Sequence, residues 1–132
     1  MGAHGRTILV AEDDPASREL LAEILRMSGY HVIEASDGEE AIAQAQLIVP
    51  DLVLVDIQMP RRDGFEVLAF VRQHFAPSPP VMAITAHAMR GDRERALARG
   101  FEEYFTKPVE MAKLRHKICE LLPPEPPPSG SC

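Results

Sequence analysis

Five short apolar runs alternate along the chain with five segments of helical periodicity, and this alternation constrains the fold more than any other feature. The apolar runs lie at residues 7–11, 31–35, 52–55, 81–85 and 103–106. The helix-like segments lie at residues 15–28, 38–48, 64–75, 90–99 and 109–122. Strands that alternate with helices favour right-handed crossovers and a parallel sheet. We therefore predict an α/β fold with a doubly wound, five-stranded parallel sheet and helices on both faces.

The composition of the runs distinguishes central strands from edge strands. The first, third and fourth runs are almost continuously apolar, which is typical of strands covered on both faces. The second and fifth runs are shorter or more polar, as expected at the edges of a sheet. In the first helix we expect one apolar stripe formed by Leu20, Leu21, Ile24 and Leu25.

Length, charge and hydropathy exclude several classes of protein. A chain of 132 residues suits one domain, which we place at residues 6–122, and we expect the Pro-rich residues 123–132 to be a disordered tail. No apolar run approaches the roughly 20 residues that cross a bilayer, and residues 1–6 lack a secretory signal, so we expect a cytoplasmic protein without membrane insertion. A net charge of −6 argues against direct nucleic-acid binding.

Polar residues follow four of the predicted strands. Glu12 and Asp13 follow the first, Asp56 follows the third, Thr85 ends the fourth and Lys107 follows the fifth. Because the carboxyl ends of parallel strands meet at one edge of a sheet, we expect these side chains to converge there. Taken singly, each has a structural explanation, since an acid after a strand is more often a helix cap than a ligand.

The chemistry of this set favours phosphoryl transfer. Carboxylates at Asp13 and Asp56 are hard oxygen ligands suited to Mg²⁺, and a bound cation would hold Asp56 ionised. A carboxylate can form an acyl phosphate as a covalent intermediate. Lys107 and Thr85 would then supply an ammonium and a hydroxyl to the new phosphoryl group.

Five motifs in order carry a resemblance to a known family. They are ILVAEDD at residues 8–14, LVDIQMP at 54–60, DG at 63–64, ITA at 84–86 and KP at 107–108. Together they resemble the receiver domains of bacterial response regulators, the phosphoproteins of two-component signal transduction. The resemblance covers residues 6–122 and implies a flavodoxin-like sheet with strand order 2-1-3-4-5.

The resemblance also implies a role for each matched acid. Asp56 would be the phosphoacceptor and Asp13 the principal carboxylate ligand of the metal. Glu12 would act through a metal-bound water or a secondary contact, and the backbone carbonyl of Gln58 would complete the protein ligands. The implied cofactor is Mg²⁺, with Mn²⁺ as the alternative.

Further roles are implied for the switch and for dephosphorylation. Thr85 would be the switch hydroxyl and Lys107 the phosphoryl-binding lysine, followed by a cis peptide bond. Tyr104 would be the switch aromatic, which turns into space vacated when Thr85 is drawn toward the phosphoryl group. Gln58 and His87 occupy positions at which the family tunes hydrolysis of the aspartyl phosphate.

The implied function is that of a phosphorelay switch and not of an enzyme with steady turnover. The donor would be a sensor histidine kinase or a histidine phosphotransfer protein. Phosphorylation would recast the surface formed by residues 90–100, 103–106 and the last helix. That surface would bind a downstream target or a missing output domain, or form a homodimer, and the domain would be a stand-alone regulator or one excised from a larger chain.

Three rival functions fit the sequence less well. Phosphatases of the haloacid dehalogenase-like class place the nucleophilic Asp after the first strand with a second Asp two residues on, a spacing that Glu12-Asp13-Asp14 lacks. A binding module that has lost phosphorylation would not need the complete set of site residues. A nucleotide-binding domain would have a Gly-rich phosphate loop after the first strand, and none is present.

Overall fold

The structure, a computed structural model, describes residues 6–86 and 89–123. The strands are β1 (Thr7–Ala11), β2 (His31–Ala35), β3 (Leu52–Asp56), β4 (Val81–Thr85) and β5 (Glu103–Thr106). The helices are α1 (Pro15–Met27), α2 (Gly38–Leu47), α3 (Gly64–His74), α4 (Asp92–Arg99) and α5 (Met111–Leu121). All strand pairs are parallel, in the order β2-β1-β3-β4-β5. The predicted α/β class and strand order are confirmed.

The sheet separates two apolar cores, one on each face. Successive strand residues point to opposite faces, so in β3 Leu52 and Leu54 join one core while Val53 and Val55 join the other. The first core is completed by residues of α1 and α5, and the second by residues of α2, α3 and α4. Every residue of β3 and β4 is buried, whereas the edge strands β2 and β5 are partly exposed, as predicted.

The apolar stripe of α1 differs from the predicted one. Leu21, Ala22 and Leu25 are buried against the sheet, but Leu20 is 50% exposed. Residues three or four apart share a helix face, so Leu20 lies one residue outside the stripe centred on Leu21 and Leu25. The prediction for Leu20 was wrong because it was based on residue type alone. Although Leu20 is apolar, its side chain projects from the helix in a different direction from those of Leu21 and Leu25.

Helix starts are fixed by local hydrogen bonds that the sequence shows only in part. Asp14 caps α1 by accepting from the Ser17 N–H at 2.9 Å. The fourth helix begins two residues later than predicted because Gly91 has φ +84° and the Met89 N–H donates to the Asp92 carboxylate at 2.7 Å. A turn therefore precedes α4.

The connection from β3 to α3 packs closely against the residue that follows β3. Asp63 and Glu66 form a reciprocal capping box at the start of α3. A Cβ on Gly64 would lie 2.8 Å from the Ile57 Cα, so only glycine allows this approach.

The sequence also led us to predict a disordered Pro-rich tail and a chain without membrane insertion. Apart from Pro123, the Pro-rich tail lies outside the described residues. None of the helices in the described part of the chain combines the length and the apolar character needed to cross a membrane.

Candidate functional site

The predicted site residues converge at the carboxyl edge of the sheet. Glu12 follows β1, Asp56 ends β3, Thr85 ends β4 and Lys107 follows β5. The Lys107 backbone N–H donates to the Thr85 carbonyl at 2.8 Å, which extends the β4–β5 pairing to the lysine. The Lys107–Pro108 peptide is cis, as the family resemblance implied.

Lys107 joins two buried acids. Its Nζ lies 2.9 Å from Asp56 Oδ2 and 2.5 Å from Glu12 Oε1. Glu12 is 0% exposed and Asp56 is 3% exposed. Because charges interact more strongly away from water, the lysine is held in place by two carboxylates that have little competing solvent.

Burial sets the protonation of this group. Burial raises the pKa of Glu12 to about 7, and the nearby Asp56 carboxylate adds to this, while Lys107 and the Asp14 N–H act in the opposite direction. The Asp14 N–H donates to Glu12 Oε2 at 3.0 Å. Burial acts to lower the pKa of Lys107, but its hydrogen bonds to Glu12 and Asp56 outweigh this and the pKa is raised. Lys107 therefore remains an ammonium at neutral pH.

The Asp56 carboxylate is oriented by two donors. Oδ1 accepts from the Gln58 backbone N–H at 2.9 Å, and Oδ2 accepts from Lys107. The Gln58 side chain is exposed. A ligand role for the Gln58 carbonyl stays a prediction.

Three carboxylates lie close together at this edge of the sheet, and this donor set fits a divalent cation. One oxygen each from Glu12, Asp13 and Asp56 lies within 4.8 Å of the others. Asp13 is the exposed member of the cluster, so the acidic group opens to solvent on one side. Clustered carboxylate oxygens are the ligands that Mg²⁺ prefers, and Lys107 alone does not balance their charge.

A small cavity lies beside the acids. It has a volume of about 110 Å³. It is lined by Ile57, Gln58, Phe65, Thr85, Asp92, Arg95 and Tyr104. Thr85 is 2% and Tyr104 is 6% exposed. No described residue hydrogen-bonds the buried Tyr104 hydroxyl, and burial raises its pKa.

The cavity bears on the predicted switch. Tyr104 is buried and lines this cavity together with Thr85. The switch roles of both residues stay predictions. His87, the other predicted modulator of dephosphorylation, lies outside the described residues.

Sequence reasoning missed Arg18. Its Nη1 donates to the backbone carbonyl of Glu12 at 2.9 Å, and its Nε lies 3.4 Å from Glu34 Oε1. An arginine in the first turns of an amphipathic helix has the pattern of a solvated residue, so only the tertiary contacts reveal this position.

Comparisons with known proteins find matches over most of the chain. The family model described as response regulator receiver domain matches residues 8–119. The polar-differentiation response regulator DivK of Brucella anthropi is 34% identical over 89% of this chain and 96% of its own length. The signal transduction histidine-protein kinase BarA of Escherichia coli is also 34% identical over 89% of this chain, but over only 13% of its own length.

A solved structure gives the same result for the fold. The receiver domain of the sensor histidine kinase PA1611 from Pseudomonas aeruginosa is 32% identical, with a TM-score of 0.79. The match covers 90% of this chain and 98% of that chain, whose structure has a magnesium ion coordinated in the active site cleft.

Proposed function

The chain belongs to the response regulator receiver domain family, and from this premise we propose that Asp56 accepts a phosphoryl group from a histidine kinase or a histidine phosphotransfer protein. The observation that supports this most is the contact of Lys107 Nζ with both Asp56 and Glu12 at 2.9 and 2.5 Å. On this proposal the domain acts in the cytoplasm as a switch and not as an enzyme of steady turnover.

The reaction follows from the position of the Asp56 carboxylate. One of its oxygens attacks the phosphorus of a phosphohistidine, the new O–P bond forms, and the P–N bond breaks with its electron pair leaving on the imidazole. The Gln58 N–H and Lys107 hold the carboxylate in one orientation, which lowers the entropic cost of the attack. Lys107 then faces the added negative charge as a fixed ammonium.

The acidic cluster is the proposed metal site. Glu12, Asp13 and Asp56 would hold Mg²⁺, and the Gln58 carbonyl is proposed as a further ligand. A divalent cation supplies charge neutralisation for the incoming phosphoryl group when bound. The magnesium ion in the PA1611 receiver supports this assignment, and Mn²⁺, which also suits carboxylate and carbonyl oxygens, is the alternative cofactor.

The output is a proposed shift in population between two arrangements of the cavity. Thr85 hydrogen-bonds the phosphoryl group, Tyr104 repacks in the cavity that it shares with Thr85, and the surface of α4, β5 and α5 changes with it. That surface binds the downstream target, an output domain or a second copy of the chain. Tyr104 supports this because its hydroxyl is buried without a partner among the described residues.

Acetyl phosphate with Mg²⁺, followed by intact-mass measurement, tests the acceptor. We expect one phosphoryl group per chain in the wild type and none in Asp56→Asn. The matched control is Asp51→Asn at the opposite end of β3, where Asp51 accepts from the exposed Thr7 N–H at 2.8 Å. This control should incorporate phosphoryl like the wild type.

Three other outcomes would overturn the proposal. Equal incorporation in Asp56→Asn would place the phosphoryl group elsewhere. Continuous release of many phosphates per chain would support a turnover enzyme that passes through an aspartyl phosphate. A wild type that takes up no phosphoryl group would support the non-phosphorylated binding module.

A further inference from the structure

The position of Asp13 depends on its backbone. Its side chain is exposed, and neither a hydrogen bond nor an ion pair from the described residues holds its carboxylate in the way that Lys107 holds Glu12 and Asp56. Whatever fixes the chain between Glu12 and Asp13 therefore decides where this oxygen lies in the acidic cluster.

The Glu12–Asp13 peptide is fixed at the Glu12 carbonyl. The Glu12 N–H donates to the Ala35 carbonyl at 3.0 Å, which continues the pairing of β1 with β2. The Glu12 carbonyl accepts from Arg18 Nη1 at 2.9 Å. Because a peptide unit is planar, holding that oxygen also sets the direction in which the chain enters Asp13.

Arg18 also pairs with an acid on β2. Its Nε lies 3.4 Å from Glu34 Oε1, and its side chain is only 18% exposed. Glu34 lies on β2 in register with Val10 of β1. The planar guanidinium thus joins α1, the end of β1 and β2, and an arginine is suited to this because its donors have a fixed geometry.

We propose that Arg18 is a positioning residue for the divalent-cation site, acting through the Glu12–Asp13 peptide and without touching the cation. This inference rests on the proposed function, since it assumes that the acidic cluster takes up Mg²⁺. Outer partners that orient metal ligands typically contribute about 10–100-fold to metal affinity.

The chain provides a matched control on the same helix. Arg26 Nη1 also pairs with Glu34, at 3.2 Å, and its Nη2 donates to the Val32 carbonyl at 3.1 Å, but no contact links it to Glu12. Arg18→Met and Arg26→Met each remove one guanidinium from Glu34 and the same formal charge from α1. Only Arg18→Met removes the hydrogen bond to the Glu12 carbonyl.

Isothermal titration of each variant with MgCl₂ measures the effect. We expect Arg18→Met to weaken Mg²⁺ binding about tenfold, Arg26→Met to leave it nearly unchanged, and Arg18→Lys to give an intermediate loss. Arg18→Lys keeps the charge and one donor, so it also serves if Arg18→Met does not fold.

A second readout separates positioning from a loss of stability. In Arg18→Met the Mg²⁺ concentration for half-maximal phosphorylation by acetyl phosphate should rise, while the plateau rate at saturating Mg²⁺ stays at the wild-type value. A purely structural role would lower the plateau and leave the half-maximal concentration unchanged.

The possible failures are distinguishable. Equal Mg²⁺ affinities for the Arg18 and Arg26 variants would overturn the positioning role alone. A wild type that binds Mg²⁺ in an Arg18-dependent way but is not phosphorylated on Asp56 would overturn the proposed function alone. A wild type that binds no Mg²⁺ would overturn both.

Discussion

Two ion clusters lie at opposite edges of the same sheet, and they differ in charge balance. At the carboxyl edge, three carboxylates cluster, and Lys107 contacts the two buried ones, Glu12 and Asp56. At the amino edge, Arg72 faces the single carboxylate of Glu102, with Nη2 and Oε1 2.8 Å apart and both side chains about one-third exposed.

The amino-edge cluster makes several further hydrogen bonds within the fold. Arg72 also donates to Ser78 Oγ at 2.7 Å, to the Pro79 carbonyl at 2.8 Å and to the Gly100 carbonyl. Glu102 Oε1 additionally accepts from the Val81 N–H at 2.7 Å. These contacts tie the end of α3 to the starts of β4 and β5 and to the end of α4.

The difference separates a structural cluster from a ligand site. One guanidinium balances the charge of one carboxylate, so the amino-edge cluster needs no further ion. Other hydrogen bonds of the guanidinium go to loop carbonyls, which need a donor. Burying charge is costly unless it is compensated, so the excess of carboxylates at the carboxyl edge disfavours the fold unless a cation or a proton is taken up. We infer that stability is concentrated at the amino edge and chemistry at the carboxyl edge.

The largest effect is expected at the amino edge. Arg72→Met removes hydrogen bonds to four partners, which at about 1 kcal/mol each should lower the free energy of unfolding by on the order of 3–4 kcal/mol. Urea denaturation measures this loss. Mg²⁺ affinity and the extent of Asp56 phosphorylation should stay at the wild-type level, and a marked loss of either would remove the distinction between the edges.

A smaller effect is expected at the carboxyl edge, and it depends on pH. Folding raises the pKa of Glu12 from 4.5 to about 7, so the folded chain binds a proton that the unfolded chain has released. The stability from this proton is fully present below pH 4.5 and is lost as the pH rises through 7. Metal-free protein should therefore lose on the order of 2–3 kcal/mol of stability from this group between pH 5 and pH 8.

Matched amide variants isolate the contribution of Glu12. Urea denaturation in EDTA across this pH range should show that Glu12→Gln has lost most of the dependence, because the side chain no longer titrates. Glu102→Gln at the amino edge should keep the wild-type dependence. The same slope in wild type and Glu12→Gln would contradict the assignment.

The sequence predicted the fold well because the buried strands of a parallel sheet consist mostly of apolar residues, and such runs are easy to recognise in a sequence. The apolar run at residues 52–55 marks a strand covered on both faces, and the predicted strand differs from β3 only at Asp56, whose backbone pairs with Ile84 although its side chain is polar. The convergence of Glu12, Asp56, Thr85 and Lys107 followed from strand ends alone.

The remaining features depend on contacts between distant elements. Arg18 and Arg72 look like ordinary surface arginines in the sequence, and their importance comes from the carbonyls they meet, up to 28 residues away for Gly100. The exposure of Leu20 and the burial of Tyr104 likewise depend on how a helix or an edge strand is rotated against its neighbours. Residue type and spacing do not predict these rotations or these contact partners.

A titration with MgCl₂ followed by amide chemical shifts in NMR spectra tests the central claim most directly, because it reports both edges in one experiment. We predict saturable shifts at residues 12–14 and 56–58, weakened by Asp13→Asn, with the amides of Val81 and Glu102 unmoved. Shifts centred on the Arg72–Glu102 cluster, or no saturable shift at residues 12–14 and 56–58, would contradict it.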